Sequence, residues 1–202
     1  MSKSTVDPPE ISQVNEPLPT YKNKEYYTYA DYMAWEDDKQ WELIDGVPYL
    51  MSAPTTEHQS ILLELAVQFK LFLKGKKCKI FIAPCDVRLN ADGKDDTVVQ
   101  PDLFIVCDKN KLSDIRAIRG APDIIVEILS PSSLKHDTLI KYQKYMEVGV
   151  GEYWVIDPME KSVNVHLLEN GNYTTRHYDA VAKVQVQTLP ELTINLAEVF
   201  AV

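Results

Sequence analysis

The segment Ile124-Ile125-Val126-Glu127-Ile128-Leu129-Ser130-Pro131 constrains this chain more than any other. It reads as a strand of branched apolar residues with one carboxylate at its centre. A lone charge inside such a strand is costly, so Glu127 needs a cationic partner, a bound cation or a raised pKa. A second apolar run, residues 98–106, lies upstream and also carries one acid, Asp102, directly after Pro101. Two apolar strands with one central acid each predict a carboxylate cluster that can hold a divalent metal ion.

The rest of the chain must supply a fold that brings those strands together. Its 202 residues suit one domain plus a tail. Residues 1–27 carry Pro8, Pro9, Pro17 and Pro19 among polar residues with no periodicity, which predicts a flexible N-terminal arm before a single domain over 28–202. Thr28 reads as the N-cap of a short helix to about residue 36. Asp45-Gly46 between the runs 41–44 and 47–51 predicts a β-hairpin, because the turn needs a positive φ. Thr55 or Thr56 opens a helix whose apolar residues Ile61, Leu62, Leu65, Phe69 and Phe72 recur at three- and four-residue steps. That helix runs to about residue 73, and Gly75 ends it.

Strands are expected at 78–82, 86–89, 98–106 and 124–130, with an acidic loop over 90–97. A helix over 134–148 with Gly149 after it, and a strand at 152–156, complete a strand–helix–strand unit. Such a unit builds a parallel pair with a right-handed crossover. A second hairpin (163–168 with 173–178), a strand near 183–189 and a short helix near 196–200 finish the chain. The expected fold class is α/β of mixed α+β type: a mixed β-sheet flanked by helices, with β-hairpins.

Charge and cysteines narrow the function classes. The net charge of −9 argues against broad, non-specific binding to nucleic acid, which depends on Lys and Arg. Two local basic stretches, Lys70–Lys79 and Lys109–Arg119, read as solvated surface. No apolar run approaches the roughly 20 residues needed to span a bilayer, and residues 1–27 contain no apolar leader core. Cys78, Cys85 and Cys107 are odd in number and form no C-x-x-C pair, so they are expected as reduced thiols in a cytoplasmic protein.

Side-chain alternation sharpens the site. Glu127 shares a strand face with Ile125 and Leu129, and Asp102 with Gln100 and Phe104. If the strands are neighbours with these faces together, both carboxylates reach one cation, and a metal-bound water of lowered pKa could attack a phosphodiester.

Pro101-Asp102 followed by Glu127 resembles the motif of the PD-(D/E)XK nuclease superfamily. The wider series is Trp41-Glu42-Leu43-Ile44-Asp45-Gly46, His58, Gln100-Pro101-Asp102, Val126 to Ser132, Lys141 with Tyr145, and Gly149 to Trp154. It resembles the large bacterial family of "putative restriction endonucleases", and the likeness covers roughly 28–190. The resemblance implies a restriction-endonuclease-like fold and a nuclease that hydrolyses DNA with Mg²⁺ or Mn²⁺. It implies Asp102, Glu127 and Glu42 as metal ligands, and a homodimer that cuts both strands. The alternative is an inactive descendant of the fold that binds DNA or protein.

The chain departs from the motif at one place: Leu129 stands where a lysine is expected two residues after Glu127. Lys141 is the expected substitute, with Lys144 second, and a surface ion pair with Asp137 is the competing role for Lys141. His58 is expected as a capping or solvent-facing residue with a lesser prospect of a role in the site, Asp86 as a surface strand residue with cleft lining as the alternative, and Tyr153 and Trp154 as core.

Overall fold

A computed structural model describes residues 24–36, 38–131 and 133–201. A short helix α1 (Tyr29–Tyr32) leads into the hairpin β1 (Trp41–Ile44) and β2 (Val47–Leu50), then the long helix α2 (Thr56–Leu73). Strands β3 (Lys79–Ile82), β4 (Asp86–Arg88), β5 (Val98–Val99), β6 (Leu103–Val106), β7 (Ala117–Arg119) and β8 (Ile124–Ile128) follow. A π-helical segment (His136–Lys141) runs directly into α3 (Tyr142–Glu147). Strands β9 (Glu152–Asp157), β10 (Ser162–Glu169), β11 (Asn172–Asp179), β12 (Lys183–Gln185) and β13 (Thr193–Asn195) precede α4 (Leu196–Val199).

The strands form a six-stranded sheet ordered β11-β10-β9-β8-β6-β3, a five-stranded sheet ordered β2-β1-β5-β4-β7, and the small pair β12-β13. In the large sheet β8 and β9 are parallel and every other pair is antiparallel. The expected strand–helix–strand unit is therefore present, with the π segment and α3 as its connection. One face of the large sheet presents Ile124, Val126 and Ile128 to Ile61, Leu65 and Phe69 of α2, with Leu196 and Val199 of α4 beside them. The other face presents Phe104, Ile125 and Val155 to Tyr145 of α3 and to Ile44, Val87 and Val99 of the small sheet. The expected alternation in β8 thus holds, and the side of Glu127 lies between the two sheets.

Several elements differ from expectation for identifiable reasons. The run 98–106 is not one strand. Pro101 has no N–H to continue a ladder, and the chain changes sheets there, so β5 pairs with β1 and β4 while β6 pairs with β3 and β8. The second hairpin is longer than expected, because Asn170 and Gly171 take positive φ in a two-residue turn and the strands run up to it. The last strand is shorter, and its partner β13 was missed.

The cysteine expectation is corrected. Cys78 and Cys107 form a disulfide, with Cα atoms 4.0 Å apart, and Cys85 is the free thiol among the described residues. The register that pairs Lys79 with Val106 sets these two cysteines opposite one another. Spacing along the chain carries no trace of that pairing, and the reduced-thiol argument for a cytoplasmic location does not carry over. Among the described residues no helix is long and apolar enough to cross a membrane. The expected arm lies mostly outside the described residues. Within its last part, Tyr27 is buried and donates its backbone N–H to the Gly46 carbonyl.

Candidate functional site

Asp102 sits at the break between β5 and β6, at the seam of the two sheets. The register of β6 on β8 pairs Leu103 with Val126, so one step further Asp102 faces Glu127. Asp102 Oδ2 accepts from the Ile128 backbone N–H at 2.8 Å and faces His58 Nε2 at 3.1 Å. The Asp102 N–H points to Glu127 Oε2 at 3.4 Å. His58 comes from the first turn of α2, where Thr55 caps the helix by accepting from the His58 N–H. The cap is as expected, but the ring is buried against Asp102 and does not face solvent.

Glu127 Oε1 accepts from Lys141 Nζ at 2.9 Å and from the Tyr145 hydroxyl at 2.7 Å. Lys141 Nζ also lies 2.9 Å from Glu42 Oε1 and 3.4 Å from Asp137 Oδ1. Glu42, from β1 in the other sheet, accepts a further bond from the Gln100 backbone N–H at 2.7 Å, and its Oε2 faces His136 Nε2 at 3.1 Å. Lys141 is 2% exposed, Glu42 1% and Glu127 3%, so this is a buried cluster and not a surface ion pair with Asp137. Lys144 instead bonds Asp45 and Glu147 on the outside.

The π-helical segment explains how one short stretch supplies three of these groups. Its i→i+5 bonding brings residues five apart nearly into line, whereas at 3.6 residues per turn they diverge. His136, Asp137 and Lys141 are therefore all buried on the site side, while Leu139 between them is exposed. His136, which packs its ring 4.7 Å from that of Tyr49, was missed from the sequence. A reading based on helical periods of 3.6 has no signal for it.

Electrostatics follow from three acids around one ammonium, with Asp102 beside Glu127. Burial pushes Glu127 well above the usual carboxylate range; Lys141 opposes this, and the neighbouring Asp137, Asp102 and Glu42 reinforce it. Burial also acts on Glu42, but Lys141 and His136 outweigh it and hold that carboxyl down at about 2. Burial raises Asp137. Lys141 stays well above its ordinary value because Glu127, Glu42 and Asp137 outweigh its desolvation. His58 is likewise raised, since Asp102 outweighs burial. Asp86 sits behind the site, where it accepts from Gln100 Nε2 and the Tyr32 hydroxyl. Tyr153 and Trp154 are core as expected, although the Tyr153 hydroxyl also donates to the Asp137 carbonyl.

The cluster forms the floor of a cleft of about 270 Å³ that Asp102, Glu127 and Lys141 line together with both histidines. The Nδ1 atoms of His58 and His136 are buried without a hydrogen-bond partner. Among the described residues no three His, Cys, Asp or Glu side chains form a ready-made metal cage. Asp102 and Glu127 are the adjacent acids, and Glu42 joins Glu127 through Lys141.

Comparison with known proteins bears on the fold and the family. The chain is 23% identical over 163 residues to an uncharacterized Synechocystis protein, covering 79% of this chain and 84% of that one. It shares its fold with the crystal structure of a "putative nuclease belonging to DUF820" from Anabaena variabilis. The TM-score is 0.70 at 21% identity, over 87% of this chain and 98% of that one. The model of the Uma2 family, described as "Putative restriction endonuclease", matches residues 29–197. With Asp102, Glu127 and Lys141 gathered in one cleft of a shared fold, the chain belongs to the Uma2 family.

Proposed function

We propose that this protein is a Mg²⁺- or Mn²⁺-dependent nuclease that hydrolyses phosphodiester bonds of DNA. The observation that carries the reading is the ammonium of Lys141, 2.9 Å from Glu127 on the cleft floor. It stands in for the lysine that Leu129 displaces from the motif.

The donor set fits a hard divalent cation. Glu42, Glu127 and Asp137 crowd one lysine, Asp102 adjoins Glu127, and burial with mutual repulsion disfavours the charged form of Glu127. A cation would balance that surplus, and Mg²⁺ typically takes one or two protein carboxylates and keeps several waters. Asp102 and Glu127 are the residues that would hold it, with Glu42 acting through Lys141. Once bound, the ion supplies Lewis acidity and a water of lowered pKa.

The chain's own groups do the rest. His58 and the Ile128 N–H fix the Asp102 carboxylate. Tyr145 and Lys141 fix that of Glu127. Lys141 also places a positive charge beside the position where the phosphorane gains negative charge.

The test is cleavage of labelled DNA over a range of Mg²⁺ and Mn²⁺ concentrations by wild type, Asp102→Ala and Glu127→Ala. Metal-dependent cleavage by wild type alone supports the reading. Equal activity in all three proteins sinks it, and metal binding without cleavage favours the inactive descendant.

A further inference from the structure

The walls of the cleft bear on which form of DNA enters it. Lys141 is the only lysine or arginine among the described residues that line the cleft. Above the floor the lining is uncharged. Tyr49, Met51, Pro54 and Pro84 give apolar surface, and Gln40 and Gln59 give amide donors and acceptors.

No residue of either basic stretch lines the cleft. His58 and Gln59 lie in the first turn of α2, whereas Lys74, Lys76 and Lys77 lie past its far end. The helical rise places His58 about 24 Å from Lys74. In the second stretch, Lys111 donates to the Ala121 carbonyl and Arg119 pairs with Asp92.

A duplex is bound chiefly through phosphates neutralised by Lys and Arg, over a contact of roughly 1,000–2,500 Å². The lining of this cleft offers one such cation. Its volume of about 270 Å³ falls just below the range of small-molecule pockets, which run from about 300 to 1,000 Å³. Its acids are buried at the bottom, so the scissile phosphate must descend into it. An unpaired strand can do this, because it can splay one nucleotide out of line and bind through stacking and base-edge hydrogen bonds.

Resting on the nuclease reading above, we propose that the cleft takes one unpaired nucleotide of single-stranded DNA, at a free end or a flap, and excludes the interior of a duplex. Tyr49 is the stacking surface for its base. Gln40 and Gln59 offer hydrogen bonds to the base edge.

The experiment compares one labelled sequence as a single strand, as a blunt duplex and as a duplex with a single-stranded flap, cut by wild type with Mg²⁺ or Mn²⁺. The expected result is cleavage of the single strand and the flap at least ~10-fold faster than the duplex interior. Tyr49→Ala lowers kcat/KM on the single strand by roughly 5- to 100-fold, as loss of one base–aromatic stack does, while Tyr49→Phe retains it. Thermal melting confirms that both variants fold. If Tyr49→Ala does not fold, Gln59→Ala on the exposed first turn of α2 takes its place, with an expected rise in KM. A duplex interior cut as fast as the single strand overturns this inference and leaves the nuclease reading standing. No cleavage of any form by wild type overturns both.

Discussion

At the scale of the residue, the proposal rests on Lys141. A buried ammonium among buried carboxylates is weak evidence for stability, yet removing it leaves those acids uncompensated. Lys141→Met should lower unfolding stability by about 3–5 kcal/mol at neutral pH, measured by denaturant titration. Leu129 is half-buried on the same strand face as Glu127. Leu129→Lys in the Lys141→Met background should therefore recover at least about tenfold of the lost cleavage rate, because the new ammonium approaches Glu127 from the motif position. No recovery would place the function of Lys141 elsewhere than at the reacting phosphate. The acids themselves were legible in the sequence, because a single charge in an apolar strand needs a counter-charge, a bound cation or a proton. Lys141 was legible only as a candidate. Its partner Glu42 arrives from another sheet, and His136 depends on a π turn that no periodicity announces.

At the scale of the element, two features place these groups. One is the break at Pro101, which hands the chain from one sheet to the other and leaves Asp102 at the seam. Both β5 and β6 are apolar, and apolarity does not say which sheet a strand joins, so the two look like one run in the sequence. The other is the β1–β2 hairpin, which carries Glu42. Its turn residue Gly46 has φ +78° and lies against the Tyr26 ring, where an added Cβ would come within 2.3 Å of a ring carbon. Gly171, in the second hairpin, has φ +81° with open space around it. Both turns were readable from Asp-Gly and Asn-Gly, but the difference between them was not. Gly46→Ala should therefore cost more stability than Gly171→Ala. The backbone conformation costs each about 1 kcal/mol, and Gly46→Ala adds the clash. Equal losses in thermal melting would mean that Tyr26 does not pack there in solution.

At the scale of the whole molecule, the two sheets share a core whose far side holds a further buried histidine. His166 lies among Tyr142, Tyr153 and Tyr173, and its Nδ1 faces the Thr175 hydroxyl at 2.8 Å. Burial lowers its pKa from 6.5 to about 4. The unfolded chain therefore binds more protons than the folded one between those values. The stability tied to this ring is fully present above pH 6.5 and is lost as pH falls towards 4. The loss amounts to roughly 2 kcal/mol, somewhat less than the full shift gives, because the ring keeps some solvent contact. His166→Phe should flatten that part of the stability curve, measured as the difference in unfolding free energy between pH 6.5 and 4. An unchanged slope would mean that the ring is solvated in solution.

The nuclease proposal turns on Lys141 serving at the reacting phosphate in place of the missing motif lysine. The deciding measurement is single-turnover cleavage of DNA at saturating metal, comparing wild type with folded Lys141→Met. The expected outcome is a fall of roughly 10²–10³-fold, the scale of losing one preorganised charge at the transition state, with the metal requirement retained. Equal rates in the two proteins would contradict that role.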